Sequence, residues 1–432
     1  MTPVAVGFIG IGVLIILLFS GMPLGFVMGL VGFAGFAYLN SLDSALALLG
    51  MIPYSTFSNY GFSVLPLFML MGTFLYTARI SSDLYDSAYT WVGQFPGGLA
   101  MSTIAACGGF AAMCGSSTAT AASIGIAVLP EMKRYKYSMG LATGSVACGG
   151  TLGVMIPPSI ILIIYGIISQ QSIGKLFIAG IVPGILQMLI LIAVVYIVCK
   201  RNPSAGPPGP GTSIKEKVRS LGKIWIMFLL FLLIMGGIYL GFFSPTEAGG
   251  VGCFGAFVIA LARRRLNWEA FLEAIYDTAR ITSMTFIIVV GAQIFGAFVA
   301  ISRLPVELSA MISYMQLNRY IVIALILFLY LFLGSIMDTI AMMLLTVPIF
   351  LPLILSYGFD PIWFGIVATL MAEIGLITPP VGINVFVIKG IADVPMYTIF
   401  RGVGPFFIGL ILLIVILIVF PQIPLFLPAA MK

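Results

Sequence analysis

Few residues in this sequence can do chemistry. Two carboxylates stand inside strongly apolar runs: Asp338 in "LGSIMDT" and Glu373 in "MAEIGLITPPVG". A carboxylate in hydrocarbon is costly, so each is a functional candidate. Asp338 either ligates a cation or orients its segment; Glu373 is either a coupling residue or a structural one. Hydroxyls cluster in "CGSST", at Ser116, Ser117 and Thr118, and Ser335 and Thr339 flank Asp338. Two further stretches, "GTLGVMIPPS" (150–159) and "GLITPPVGIN" (375–384), place glycines and paired prolines where a helix cannot continue unbroken. Such breaks free backbone carbonyls and half-helix ends. An oxygen-only donor set suits a hard cation such as sodium, and half-helix N-termini favour an anionic group. Taken singly, each break also fits a proline kink with glycine packing.

Other chemistries lack material. The chain has no histidine, which removes the commonest proton shuttle and metal ligand. Its five cysteines (Cys107, Cys114, Cys148, Cys199 and Cys253) have no zinc or redox spacing and read as small buried hydrophobes. No hydrolase motif occurs, so an intramembrane enzyme is not expected. Two buried acids are thin material for a proton relay. Glu247 in "SPTEAGG" follows Ser244 and Thr246 and reads as a helix cap. Glu131, beside Lys133 and Arg134, reads as a partner in an interfacial ion pair.

The elements that hold these residues must sit in lipid. Hydrophobic residues make up 61% of the 432 and charged ones 8%. A soluble domain carries about 25% charged residues, so this composition predicts a polytopic membrane protein. Spanning segments are helical, because lipid offers backbone groups no partner and the runs lack barrel-type alternation. The apolar run at 1–20 has no preceding Lys or Arg and is long for a signal peptide, so it is expected to be the first membrane helix. Spans are predicted at 3–20, 22–40, 62–80, 138–168, 175–198, 224–243, 247–262, 281–300, 361–391 and 404–428. Broken pairs are predicted at 97–130 and 319–356, with 43–58 as an interfacial or outside segment. Segments 80–94 and 266–280 are amphipathic and read as surface helices.

With the N-terminus outside and both broken pairs as hairpins that do not cross, 16 of the 20 basic residues fall on the cytoplasmic side. Lys175, Arg303, Arg319 and Lys432 fall outside. The positive-inside rule thus supports the topology and the hairpins together, and accounts for the net charge of +6. Arg303 and Arg319 are candidates for headgroup anchoring or a partner contact. The Pro/Gly-rich run at 199–223 is the hydrophilic linker between two halves, 1–198 and 224–432.

The halves resemble each other. "SVLPLFMLMGTFLYTARIS" (63–81) matches 284–302, "GSSTAT" (115–120) matches "GSIMDT" (334–339), and "IPPS" (156–159) matches "TPPV" (378–381). In the threading above, equivalent segments run in opposite directions. Each repeat carries a re-entrant hairpin and an unwound, discontinuous helix. Inverted repeats with matched, interrupted helices mark secondary transporters, and they argue against a channel.

Four motifs, "GSSTATAASIG", "GGTLGVMIPPS", "SPTEAGG" and "GLITPPVGIN", occur in this order and spacing. In them the sequence resembles the large membrane subunit of tripartite ATP-independent periplasmic (TRAP) transporters, over essentially the whole chain. The resemblance implies a sodium-driven importer of small organic acids in the bacterial inner membrane, working by an elevator motion. It implies a small four-helix membrane subunit and a soluble periplasmic binding protein as partners. Residue by residue, it implies a first sodium site at Ser116, Ser117, Thr118, Gly150, Thr151 and the Pro157–Pro158 unwinding. A second would use Gly334, Ser335, Asp338, Thr339, Gly375, Thr378 and Pro379. Substrate would lie between the tips, near Ser116, Pro158, Ser159, Ser335, Pro380 and Asn384. The second tip, "GSIMDT", is poorer in hydroxyls than the first, so the two sites need not be chemically equal. Sialic acid, other sugar acids and C4-dicarboxylates are all open as substrates. A stand-alone sodium/carboxylate symporter is the alternative.

Overall fold

Apolar runs bounded by Gly, Pro and Ser become helices throughout the computed structural model, which describes residues 1–431; Lys432 lies outside the described residues. Every regular element described is helical. Seven helices are long and apolar enough to cross a membrane, or eight if the bent pair Met139–Met155 and Ile160–Ser169 counts as one. This is the all-α polytopic architecture expected.

The helices form two packed groups. The first holds Pro3–Phe19, Leu24–Leu39, Leu42–Ser58, Val64–Thr77, Ile214–Tyr239, Pro245–Ala262 and the 34-residue helix Trp268–Ile301. Its central contact is Leu24–Leu39 on Trp268–Ile301. Gly25 and Gly291 meet backbone to backbone, and a methyl on Gly32 would fall 2.6 Å from the Phe295 backbone. Small residues of this kind let membrane helices approach closely, where van der Waals packing drives association. The second group holds the two hairpins, the two broken helices, Ile173–Arg201 and Met396–Val419.

The hairpins are Gly98–Cys114 with Ser117–Arg134, and Arg319–Gly334 with Thr339–Ser356. The broken helices are Met139–Met155 with Ile160–Ser169, and Pro361–Gly375 with Ile383–Ile391. Both proline pairs, Pro157–Pro158 and Pro379–Pro380, have cis peptide bonds. They stand 222 residues apart. So do Ser117 and Thr339, the first residues of the two post-tip helices, which pairs them across the repeat where the sequence match had paired Thr120 with Thr339. Arg79 and Arg303, both left-handed at φ 58°, each end one helix and begin a surface helix, Ile80–Val92 or Leu304–Tyr314. Their spacing of 224 differs from the sequence match there by about one helical turn, a shift that apolar periodicity alone cannot resolve.

Several segments are more ordered than the sequence implied. Residues 42–58 form a helix capped by Ser41, whose hydroxyl accepts from Ser44 N at 3.2 Å. The surface segment 266–280 runs unbroken into the next span, because no Gly or Pro intervenes before Gly291. The last predicted span ends at Val419, and Gln422–Ala429 follows as a separate helix after Pro421. Glu247 caps as expected: Ser244 N donates to its carboxylate at 2.8 Å. Among the described residues Glu131 forms no ion pair. Lys133 and Arg134 turn outward, and the carboxylate faces Tyr85. The ion pairs among the described residues are instead Arg263–Asp83 and Lys223–Asp86.

The linker is not a loose tether. Helix occupies both of its ends, and residues between Asn202 and Ser213 lie along the base of the first hairpin. Gly97 N donates to Gly206 O at 2.8 Å, Ser138 N to Ala205 O at 2.9 Å and Gly209 N to Gly93 O at 2.9 Å. The Tyr137 hydroxyl donates to Pro207 O at 2.9 Å. Burial pushes the Tyr137 phenol up to about 12, further from neutral pH than an ordinary phenol.

Gly291→Leu should lower stability by about 1–3 kcal/mol through overpacking, read as an earlier melting transition in detergent. Gly236→Leu, facing open space, should melt with the wild type. Equal melting of both variants would mean that the first group does not close through Gly25 and Gly291.

Candidate functional site

The two hairpin tips meet in one cavity of ≈ 770 Å³ between the two helix groups. The first tip contributes Gly115 to Ala119. The second contributes Asp338, Thr339 and Ile340, and the second broken helix contributes Glu373. The far wall is Val64–Thr77, through Met69, Thr73 and Tyr76, and Trp268–Ile301, through Asp277, Met284 and Thr285.

Each tip ends at the start of an 18-residue helix. Ser116 caps the first, its Oγ accepting from Ala119 N at 3.4 Å, and stands 3.3 Å from the Thr118 hydroxyl. Asp338 caps the second, with Ile340 N donating to Oδ2 at 3.0 Å. Two helix N-termini, each capped by a side chain of its own tip and each the positive end of a helix dipole, therefore face the same space. Glu373 is fully buried and receives a hydrogen bond from the Thr339 hydroxyl at 2.9 Å. Ser117 stands beside the same carboxyl.

Close backbone approach fixes the tips on the breaks. A methyl on Gly153 would lie 2.5 Å from the Ser116 carbonyl oxygen. Gly115, at φ 63°, turns the first tip against the Pro158 carbonyl. Gly334 and Gly375 meet in the second repeat, where a methyl on Gly375 would fall 2.6 Å from the Gly334 carbonyl carbon.

The expected site residues fall into two sets. Ser116, Ser117, Thr118, Asp338 and Thr339 line the cavity. Gly150, Thr151, Pro157, Pro158, Ser159, Gly334, Ser335, Gly375, Thr378, Pro379, Pro380 and Asn384 do not; they stand behind or beside the tips. The Thr151 hydroxyl donates to Cys148 O at 2.6 Å and accepts from Gln187 Nε2 at 2.8 Å. Ser335 and Thr378 turn their hydroxyls onto their own helices, and the Ser159 hydroxyl caps Ile160–Ser169. Asn384 is buried, with Nδ2 reaching Ala147 O at 3.5 Å. Pro157 and Pro158 are buried, whereas Pro379 and Pro380 are exposed.

Comparison with known proteins decides the family. The model of the tripartite ATP-independent periplasmic transporter DctM component matches residues 11–423. This chain belongs to the TRAP transporter large-subunit family. It is 35% identical to the C4-dicarboxylate TRAP transporter large permease DctM of Pseudomonas aeruginosa over 376 residues, covering 87% of this chain and 88% of that one. It is 34% identical to the sialic acid TRAP transporter large permease SiaM of Vibrio cholerae over 413 residues, covering 95% and 96%. The ectoine/5-hydroxyectoine large permease UehC of Ruegeria pomeroyi is 35% identical over 369 residues, covering 84% of each. In fold, the chain is similar to the crystal structure of the Alcanivorax borkumensis YdaH transporter, with a TM-score of 0.62 and 14% identity, covering 88% and 89%. These relatives are transporter permeases, not enzymes.

Within this TRAP subunit, the far wall of the cavity was missed from sequence. Thr73 and Thr278 face each other across the two wall helices at 3.5 Å, and Asp277 lies at the cavity edge. Hydroxyls at single positions in long apolar runs carry no local signature. Only the pairing of Val64–Thr77 with Trp268–Ile301 collects them.

Gly153→Ala should displace the first tip from its break. A shift of about 1 Å can cost on the order of 10²-fold in a positioned site, so uptake should fall to near background while Gly211→Ala, in open space in the linker, transports normally. Wild-type uptake by Gly153→Ala would show that the tip need not rest on the break.

Proposed function

We propose that this chain is the carrier subunit of a TRAP system that imports a small organic acid together with sodium. It would act with a small four-helix membrane subunit and a periplasmic binding protein that delivers the substrate. The observation that carries this reading is the charge of the cavity. Its lining holds Asp277, Asp338 and Glu373 and, among the described residues, no Lys or Arg.

An organic acid entering such a space meets like charge. Two unit charges 4 Å apart repel by about 4 kcal/mol at an effective dielectric of 20. A helix N-terminus returns typically 0.3–1 kcal/mol to an anion, and roughly 2 at best. Two N-termini therefore do not offset two carboxylates. Cations must accompany the acid, and the donors at the tips are all oxygens, as sodium prefers. Ser116, Ser117, Thr118, Asp338 and Thr339 are the residues that would hold them at the cavity. Gly150, Thr151, Pro157, Gly334, Ser335, Gly375, Thr378 and Pro379 would supply backbone and support from behind. Sodium would supply positive charge that offsets Asp338 and Glu373, so that the N-terminal dipoles of the two post-tip helices favour the substrate carboxylate.

The two wall helices support an elevator motion in the bacterial inner membrane. Along Trp268–Ile301 the tip cavity uses residues from Asp277 to Ile288. A second cavity of ≈ 540 Å³ uses Val289, Ala292, Gln293 and Gly296, against the second hairpin. The tip cavity thus lies toward the Trp268 end, where Arg263, Arg264, Arg265 and Arg280 mark the cytoplasmic side. This is an inward-facing arrangement with a periplasmic N-terminus. Moving the tips from the level of Thr285 to that of Gln293, eight residues, is about 12 Å along the helix axis.

Reconstituted with its two partners, the chain should take up a labelled organic acid only under an inward sodium gradient, and Ser117→Ala or Asp338→Ala should weaken that dependence. Sodium-driven uptake by this chain alone would establish a stand-alone symporter instead. Uptake driven by a proton gradient without sodium would overturn the reading of the tips.

A further inference from the structure

We infer that Glu373 is the central ligand of a cation site built across the two repeats, with Ser117 from one tip and Thr339 from the other. The inference rests on the sodium-coupled reading and adds a site that joins the two tips to each other through the second broken helix.

Glu373 has no exposed surface. One carboxyl oxygen accepts from Thr339; the other, Oε2, has no hydrogen-bond partner. The carboxyl faces the cavity, with Ser117 beside it and Asp338 nearby. One helical turn earlier, Thr369 is fully buried and its hydroxyl also lacks a partner. Residues four apart share one face of a helix, so a face of Pro361–Gly375 presents two unsatisfied oxygens. Buried polar groups are almost always paired, and a buried unpaired charge is strongly destabilising. Holding Thr339 alone would leave Oε2 unexplained. A cation held by the carboxylate and the hydroxyls of both tips accounts for it.

Repeat symmetry sharpens the assignment. Ser117 and Thr339 are equivalent positions, 222 residues apart. The same spacing pairs Glu373 with Thr151, whose hydroxyl is already engaged by Cys148 O and Gln187. The first repeat has no counterpart carboxylate, so there is one such site and not two. Its hydroxyl ligands come from both hairpins, so occupancy draws the tips together around the substrate space.

The test is direct binding of radioactive sodium to the purified chain in lipid nanodiscs, alongside sodium-dependent melting. The wild type should bind sodium. Glu373→Gln should lose one ion from the stoichiometry, or weaken that ion at least about tenfold, as loss of a metal-site group typically does. Ser117→Ala should weaken the same ion although it belongs to the other repeat. Thr339→Val, which removes the hydroxyl bonded to Glu373 without changing charge, tests the site if Glu373→Gln fails to fold. Wild-type stoichiometry and affinity in the variants that fold would overturn the inference. So would unchanged sodium binding in Glu373→Gln with a lost pH dependence, which would place a proton there. A wild type that binds no sodium would overturn the coupling reading itself.

Discussion

Lipid gives an interrupted helix nothing to bond to, and the rest of this structure follows from how that is met. Each break frees N–H and C=O groups at membrane depth, and each costs several kcal/mol if left unsatisfied. The second break is closed locally: Thr378 N donates to Gly375 O, Asn384 N to Leu376 O, and Gly382 N to the tip carbonyl of Ser335. The first is sealed by contact, with Gly115 and Gly153 bringing the tip backbone onto the break. A hairpin tip is therefore the protein surface that its repeat's unwound helix requires. That requirement places both tips deep in the molecule and creates the cavity between them.

The two repeats meet the same constraint differently. Pro157 and Pro158 are enclosed, because Ile173–Arg201 packs against the first break. Pro379 and Pro380 are exposed, and only the second tip has a carboxylate, Asp338, as its cap. The second broken helix also brings Glu373 where the first has Thr151. Charge and exposure are thus concentrated in one repeat, and enclosure and hydroxyls in the other. A symmetric frame holds a chemically asymmetric site.

Much of this was legible in the sequence, for identifiable reasons. Gly/Pro clusters at matched places in the two halves point to interrupted helices and not to simple kinks, so the breaks, hairpins and most span limits could be placed closely. Ser116, Ser117, Thr118, Asp338 and Thr339 stood out because polar atoms are rare there. Contacts between distant elements were not legible. The approach of Gly25 to Gly291, the wall formed by Thr73, Tyr76 and Asp277, and the linker hydrogen bonds to Gly93, Gly97 and Ser138 depend on which helices become neighbours. The register of the repeats was blurred wherever only apolar periodicity carried it, and sharp wherever a proline pair or helix start did. The inward turn of Glu131 toward Tyr85 depends on side-chain direction, which spacing alone does not give.

Helix exchange ties the two tips into one body. Met396–Val419, from the second repeat, packs on Met139–Gly150 of the first, with Gly402 meeting Gly140 backbone to backbone. Ile173–Arg201, from the first repeat, packs on Pro361–Gly375 of the second. Both hairpins therefore belong to one interlocked body, whose internal contacts are backbone approaches that tolerate little displacement. Its contact with Val64–Thr77 and Trp268–Ile301 is different: both cavities described above lie along that boundary, and the wall side chains are mostly apolar with scattered hydroxyls. Displacement is cheapest where packing is least complete. Packing is thus looser along Trp268–Ile301 than inside the interlocked body, as the proposed elevator motion requires.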